Sequence, residues 1–186
     1  KKWNISAHFS RIRSSGFYAR QSTNDNAIAL NSNYSSKNNR YNILVSLIYN
    51  SLENAENGGV VDDSVFEDNS GITRNVFNVN LDAANRKTIN RSVFVKQYFN
   101  FGKAEKDSTK ENAIIPSSKI ILTTLYEDDL LKFQDNMPLS SFYSNIFYDS
   151  ILTFDSTFHS KIENIVEWKR FDGKQHSGVI DMFGFG

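Results

Sequence analysis

The chain has 186 residues, no cysteine, and 21 basic residues balanced by 21 acidic ones. This length suffices for one domain; the neutral balance removes the basic excess that nucleic-acid binding calls for, and the lack of cysteine excludes disulfides and thiolate metal sites. Hydrophobic residues make up 39 % of the chain, yet aromatic residues reach 13 %, with 15 Phe and 8 Tyr, a balance that strands apolar on one face only, joined by polar loops, would produce.

Period-two runs recur from end to end. Trp3, Ile5, Ala7 and Phe9 alternate with Asn4, Ser6, His8 and Ser10, which predicts a strand. Ser14-Ser-Gly16 reads as a turn, and a polar, aromatic-bearing stretch follows from Phe17 to Tyr34, with Ile28 and Leu30 on one side. Ser35–Asn39 reads as a second short turn. Ile43, Val45, Leu47 and Tyr49 then share a face opposite Asn42, Ser46 and Asn50, although Leu44 and Ile48 fall on the polar side.

An acidic loop is expected from Glu53 to Arg74, and Asp82–Lys87 reads as a helical turn or tight loop. Ser92–Phe101 is a strand: Val93, Val95, Phe99 and Phe101 point one way, Lys96 and Asn100 the other, and Gln97 interrupts the apolar face. A charged loop is expected over Lys103–Ser118, a strand over Ile120–Glu127, and a long loop over Asp128–Asp149. Ser150–Phe158 and Lys161–Phe171 read as two strands, with Asn164 out of pattern. A turn over Asp172–Ser177 and a last strand over Val179–Phe185 follow.

No run of about 18 apolar residues exists, so no transmembrane helix is expected; barrel strands need only about 9–11 residues each. The fold expected is all-β, an antiparallel transmembrane β-barrel present in part, with roughly 8–10 strands. It forms a single segment over residues 1–186, with long polar loops near 53–74, 103–118 and 128–149. Alternation alone allows either lipid outside a wet lumen or water outside a soluble β-sandwich or lipocalin-like barrel. Short turns alternating with long polar loops, and aromatics near strand ends (Trp3, Tyr49, Phe101, Tyr126, Phe158, Trp168), favour the first.

Searches for chemistry return little. His8, His159 and His176 lack partners at ligand spacing, so no metal is expected. The oxygen-rich loop Asp62, Asp63, Glu67, Asp68 and Asn69 does not match an EF-hand spacing. Neither a Gly-x-Ser-x-Gly elbow nor a phosphate-cradling Gly-rich loop occurs. Asp155 with Glu163 or Glu167 could be imagined as a glycosidase pair, but lumen charge reads better. No catalytic residue, cofactor or enzymatic activity is expected.

Val79-Asn-Leu-Asp-Ala-Ala-Asn-Arg86, followed by Asn90-Arg-Ser-Val-Phe-Val-Lys-Gln-Tyr-Phe-Asn-Phe-Gly102, resembles a signature of the porin family of Bacteroidetes outer membranes. In that family a V-x-L-x-x-A box precedes an arginine-bearing strand. Thr124-Leu-Tyr-Glu-Asp128, Phe142–Ser150, Thr153-Phe-Asp-Ser156 and Glu163-Asn-Ile-Val-Glu-Trp168 resemble the continuation in the expected order. The resemblance covers roughly Ser15 to Trp168 and implies an outer-membrane barrel without catalytic residues. Such porins are longer than this chain, so a fragment of a longer polypeptide is expected.

The expected function is therefore passage or binding of small solutes at the cell outer membrane. Lys96, Asn100, Asp155, Glu163, Glu167 and Lys169 are the pore-lining candidates, since mixed lumen charge selects by charge and size. The expected partners are outer-membrane lipid, small solutes and other outer-membrane proteins, with no nucleic acid. Two further readings are a soluble all-β module that binds carbohydrate or another ligand, and a non-conducting barrel component of an outer-membrane complex.

Overall fold

The computed structural model describes residues 2–67, 74–107, 110–143, 149, 152–171 and 175–185. The period-two runs become strands β1 (Lys2–Ser14), β2 (Thr23–Ser35), β3 (Tyr41–Glu56), β4 (Ala84–Asp107), β5 (Lys110–Asp135), β6 (Thr153–Phe171) and β7 (Gln175–Phe185). They lie side by side in chain order in one seven-stranded sheet, each antiparallel to the next. Among the described residues, helix is confined to two 3-10 turns, Asp63–Phe66 and Arg74–Val76.

Among the described residues seven strands stand where roughly eight to ten are expected, and a stretch expected as a loop is paired strand. Phe154, Phe158, Ile162, Val166 and Trp168 are all even-numbered, so the apolar phase runs unbroken through His159 and Ser160, and the two expected strands are one, β6. The stretch 103–118, expected as a loop, is instead the meeting of β4 and β5. Loop boundaries move as well. β3 continues to Glu56 and β5 to Asp135, leaving connections at 57–83 and 136–152, and Ala84 already opens β4. The turn expected over Asp172–Ser177 lies outside the described residues through 174, and β7 has begun by Gln175.

The connections sort by length. Those at 15–22, 57–83 and 136–152 leave one end of the sheet, and those at 36–40, 108–109 and 172–174 leave the other. At the short-turn end, Asn39 adopts φ 57°, a left-handed conformation that asparagine tolerates. The Asn100 amide donates to the Asn39 carbonyl at 2.7 Å, and the Asn100 N–H donates to the Arg40 carbonyl at 2.8 Å. β4 thereby clamps the turn between β2 and β3.

β4 and β5 outrun their neighbours. β3 pairs with β4 only as far as Tyr41–Phe99, and β6 meets β5 only from Ser118–Arg170. Beyond that line β4 and β5 continue as a two-stranded ribbon. At its base the register slips between Phe101 and Gly102, leaving Ser117 as the extra residue of a bulge, its hydroxyl donating to the Phe101 carbonyl at 3.2 Å. Pro116, which has no N–H to give a ladder, sits at this bulge. A Cβ on Gly102 would land on the Ile115 carbonyl oxygen. Gly102→Ala therefore forces the two backbones apart at a cost of about 1–3 kcal/mol. Amide exchange should accelerate across 102–117 while β1–β3 keep their protection; unchanged exchange in the ribbon would show that the bulge tolerates the methyl.

Candidate functional site: the polar face of the sheet

Cross-strand register assigns every strand residue to one of two faces. One face carries Trp3, Ile5, Phe9, Ile28, Leu30, Leu47, Tyr49, Val93, Phe158, Ile162 and Trp168, all exposed. Trp3 is 67 % exposed and Phe9 64 %. Among the described residues the buried hydrophobic ones, by contrast, are Leu81, Ala84 and Ile121. A β-sandwich buries one face against a second sheet; the described strands form a single layer with an uncovered apolar face.

Polar groups on that apolar face pair with one another. The Trp3 indole donates to the Ser32 hydroxyl at 2.8 Å, the Tyr41 hydroxyl to Gln97 Oε1 at 3.0 Å, and the Thr124 hydroxyl to Asn164 Oδ1 at 2.9 Å. Gln97 and Asn164, the two residues that break the apolar pattern in the sequence, thus have partners on neighbouring strands. Arg91 Nε donates to Asp128 Oδ1 at 2.6 Å, and the Tyr126 hydroxyl to Asp128 Oδ2 at 3.0 Å.

The opposite face is mixed, with Leu44, Ile48, Phe94, Leu125 and Ile165 set among charged and amide side chains, and all six residues singled out in the sequence lie on it. Lys96 and Asn100 project from β4; Asp155, Glu163, Glu167 and Lys169 from β6. They are not one cluster. Asn100, Lys119 and Lys169 share a row near the short-turn end, and Glu167 shares the next row with Tyr98 and Ile121. Lys96 lies in line with Thr123 and Ile165, and Glu163 with Leu125 and Phe94. Asp155 stands near the other end, in line with Phe133 and Arg86.

Contacts refine their characters. Glu163 Oε2 is 2.7 Å from Lys161 Nζ, and Glu167 Oε2 is 3.2 Å from Lys169 Nζ. Each pair joins residues two apart on one strand, the spacing that returns a side chain to the same face. Lys119 Nζ lies 4.4 Å and Lys96 Nζ 5.7 Å from the centre of the Tyr98 ring, so one aromatic face holds two ammonium groups. Across the middle of the face, the Asn50 amide donates to Asn90 at 3.4 Å and Asn90 to Asp129 at 2.7 Å. A cleft of about 390 Å³ is lined by Asn33, Asn42, Tyr98, Asn100 and Lys119, among others. Asn100 has a dual place here, because its amide is already committed to the turn it clamps.

Lys119, Tyr98 and Lys161 were not among the sequence candidates. Lys119 was hidden by the loop expected to end at Ser118. Tyr98 shares parity with Lys96 and Asn100, so period two alone could have found it. Lys161 shares parity with Glu163 in the same way.

At the long-loop end, connections fold onto the polar face. On its last row, Ala84, Asp135 and Thr153 are buried. Asp135, 0 % exposed, accepts from the Tyr143 hydroxyl at 2.8 Å and the Met137 N–H at 3.0 Å. Burial, aided by this carboxylate, pushes the Tyr143 hydroxyl well above the ordinary tyrosine range. Leu81 is buried beside Gly58, where a Cβ would meet Leu81 Cγ at 2.7 Å and the Phe142 ring at 3.0 Å. Edge-on contacts of Tyr18 with Phe66 and of Phe66 with Phe77, and Arg74 over Phe17 at 4.9 Å, tie the 15–22 and 57–83 connections together. Asp62 caps the first 3-10 turn: its carboxylate accepts from the Ser64 N–H at 2.9 Å, which lowers its pKa. Asp68 and Asn69 of the same acidic loop lie outside the described residues. No group of metal-ligating side chains occurs among the described residues.

A single open antiparallel meander with one largely apolar exposed face, a mixed face bearing the charged candidates, and the longer connections at one end is consistent with a segment of a membrane β-barrel wall. The chain belongs to the family described as "Putative porin", which matches residues 1–183. The coarse assignment is thus a porin-like outer-membrane barrel. Comparisons with curated proteins and with solved structures give no match.

Proposed function

We propose that these strands form part of the wall of a solute-conducting outer-membrane barrel, with the apolar face toward lipid and the polar face toward a wet lumen. The observation that carries this reading is the mutual pairing of polar groups on the apolar face. Lipid offers no hydrogen bonds, so a tryptophan N–H or glutamine amide facing it must find a partner in the wall; a water-facing surface imposes no such demand. The exposed aliphatic and aromatic side chains on the same face would be an aggregation hazard in water.

The polar face would act without covalent chemistry. Ammonium groups around Tyr98, amides of the 390 Å³ cleft and the two lysine–glutamate pairs present hydrogen bonds and charge of both signs to small polar solutes. Among the described strands β1 and β7 each have one edge without a neighbour, which lipid does not tolerate, so closure of the wall calls for strand pairing along those edges.

The test is reconstitution of the full-length protein. It should partition into detergent with the membrane fraction and give discrete conductance steps in planar bilayers. Inserted protein that stays electrically silent would overturn conduction and support the non-conducting component. Recovery in the aqueous fraction would overturn the membrane reading altogether.

A further inference from the structure

We propose that Arg11 and Arg13, with Asn24 and the cleft beside them, bind the phosphate-bearing headgroup of an outer-leaflet lipid; this rests on the wall reading above. Arg11 and Arg13 lie on the lipid-side face, one and two same-face positions beyond Phe9 toward the long-loop end. Both guanidinium groups donate through Nε to the single Asn24 Oδ1, each at 3.2 Å. Two cations are thus held side by side by a neutral amide, and among the described residues no carboxylate pairs with either. Like charges held together in this way lower their mutual repulsion by binding an anion, and a phosphate suits the guanidinium fork.

The surroundings fit a lipid rather than a free ion. A cleft of about 510 Å³ adjoins Arg13, lined by the hydroxyl-bearing Ser14, Ser15, Ser22 and Thr23 together with Asn24, Asn85, Ala55 and one carboxylate, Glu53, which stands opposite Asn24 and Lys87. Exposed Phe9 and Ile28 lie on the same face toward the sheet centre, where acyl chains would run. On this face the long-loop end carries Lys87, Lys132 and Glu53 beside the two arginines, a positive surplus, and the short-turn end carries Lys103 and Arg170 among the described strand residues. Lys132 lies over the Phe154 ring at 5.0 Å, the pairing of an aromatic ring with a cation expected where hydrocarbon meets headgroups. Long connections mark the extracellular end of outer-membrane barrels, so the cationic patch meets the outer leaflet.

The test uses full-length protein in detergent, titrated with diphosphoryl lipid A and read by native mass spectrometry, with dephosphorylated lipid A as the control. Wild-type protein should prefer the phosphorylated form. Arg11→Gln/Arg13→Gln should weaken that binding roughly thirtyfold, from about fivefold per basic side chain at an anionic surface, while Arg11→Lys/Arg13→Lys should retain most of it. Equal binding of both lipid forms by the wild type would overturn the proposal, as would wild-type affinity in the glutamine variant. Displacement of lipid A by millimolar inorganic phosphate would overturn the lipid assignment in favour of a free-anion site. The wall reading has a separate readout, partition of the same samples into detergent: protein left in the aqueous fraction would sink both.

Discussion

Replacing Glu163 and Glu167 together by glutamine shifts the reversal potential of the reconstituted channel toward that of the anion. Each carboxylate neutralises one ammonium group, Lys161 at 2.7 Å and Lys169 at 3.2 Å. Removal leaves those two lysines without these counter-ions on a face that already presents Lys96 and Lys119 around Tyr98. An unscreened unit charge a few ångströms from a permeating ion is worth on the order of 1 kcal/mol at high effective dielectric. The anion-to-cation permeability ratio should therefore rise about fivefold or more. The shift should shrink as salt is raised, because the Debye length falls to about 3 Å at 1 M. The reciprocal change, Lys161→Gln/Lys169→Gln, should move the potential the other way. If both double variants kept the wild-type reversal potential, β6 would not line the conduction path.

The second large effect is expected on the opposite face. Asp128→Ala removes the carboxylate that binds Arg91 at 2.6 Å and Tyr126 at 3.0 Å. Asp128 is nearly buried, with 6 % of its side chain exposed, while 52 % of the Arg91 side chain is exposed. In the wall reading that exposure is toward lipid or headgroups. An unpaired arginine on a lipid face costs about 2–4 kcal/mol at the bilayer midplane and about 0–1 kcal/mol near the interface. Loss of stability on unfolding from vesicles should fall within that range and report the depth of Arg91. Arg91→Leu should cost less than Asp128→Ala, because Asp128 keeps the Tyr126 hydroxyl as a donor whereas Arg91 would lose the carboxylate it is paired with. The double replacement, Arg91→Leu with Asp128→Leu, should return close to wild-type stability, as replacement of a desolvated ion pair by apolar residues often does. A double variant less stable than either single one would refute the idea that the two residues serve only each other on this face.

Legibility varied by element. β1 and the central part of β3 are readable because one face of each is continuously apolar, Trp3 to Phe9 and Ile43 to Tyr49, although Leu44 and Ile48 fall on the other face of β3. β6 was split in two because each half looked complete, although the shared parity of Phe154, Phe158, Ile162 and Trp168 already implied one strand. The stretch 103–118 reads as a loop because its run of charged residues shows no period of two in the sequence. Backbone pairing between β4 and β5 continues across the Gly102 bulge, and a side-chain period does not record that pairing. Parity also placed Lys96, Asn100, Asp155, Glu163, Glu167 and Lys169 on one face, and register carried that agreement across strands.

The amino-acid order by itself determined strand character, the division into two faces and the family resemblance, because side-chain alternation is a local property of an extended backbone. Tertiary structure alone decided which residues meet. Gln97 and Asn164 looked like flaws in an apolar stripe until Tyr41, 56 residues away, and Thr124, 40 residues away, supplied their hydrogen bonds. Lys119 and Tyr98 gained significance only when β5 was laid beside β4, and the convergence of Arg11 and Arg13 on Asn24 depended on the register of β1 against β2. Cross-strand partners lie tens of residues apart, and a pattern of period two carries no record of register.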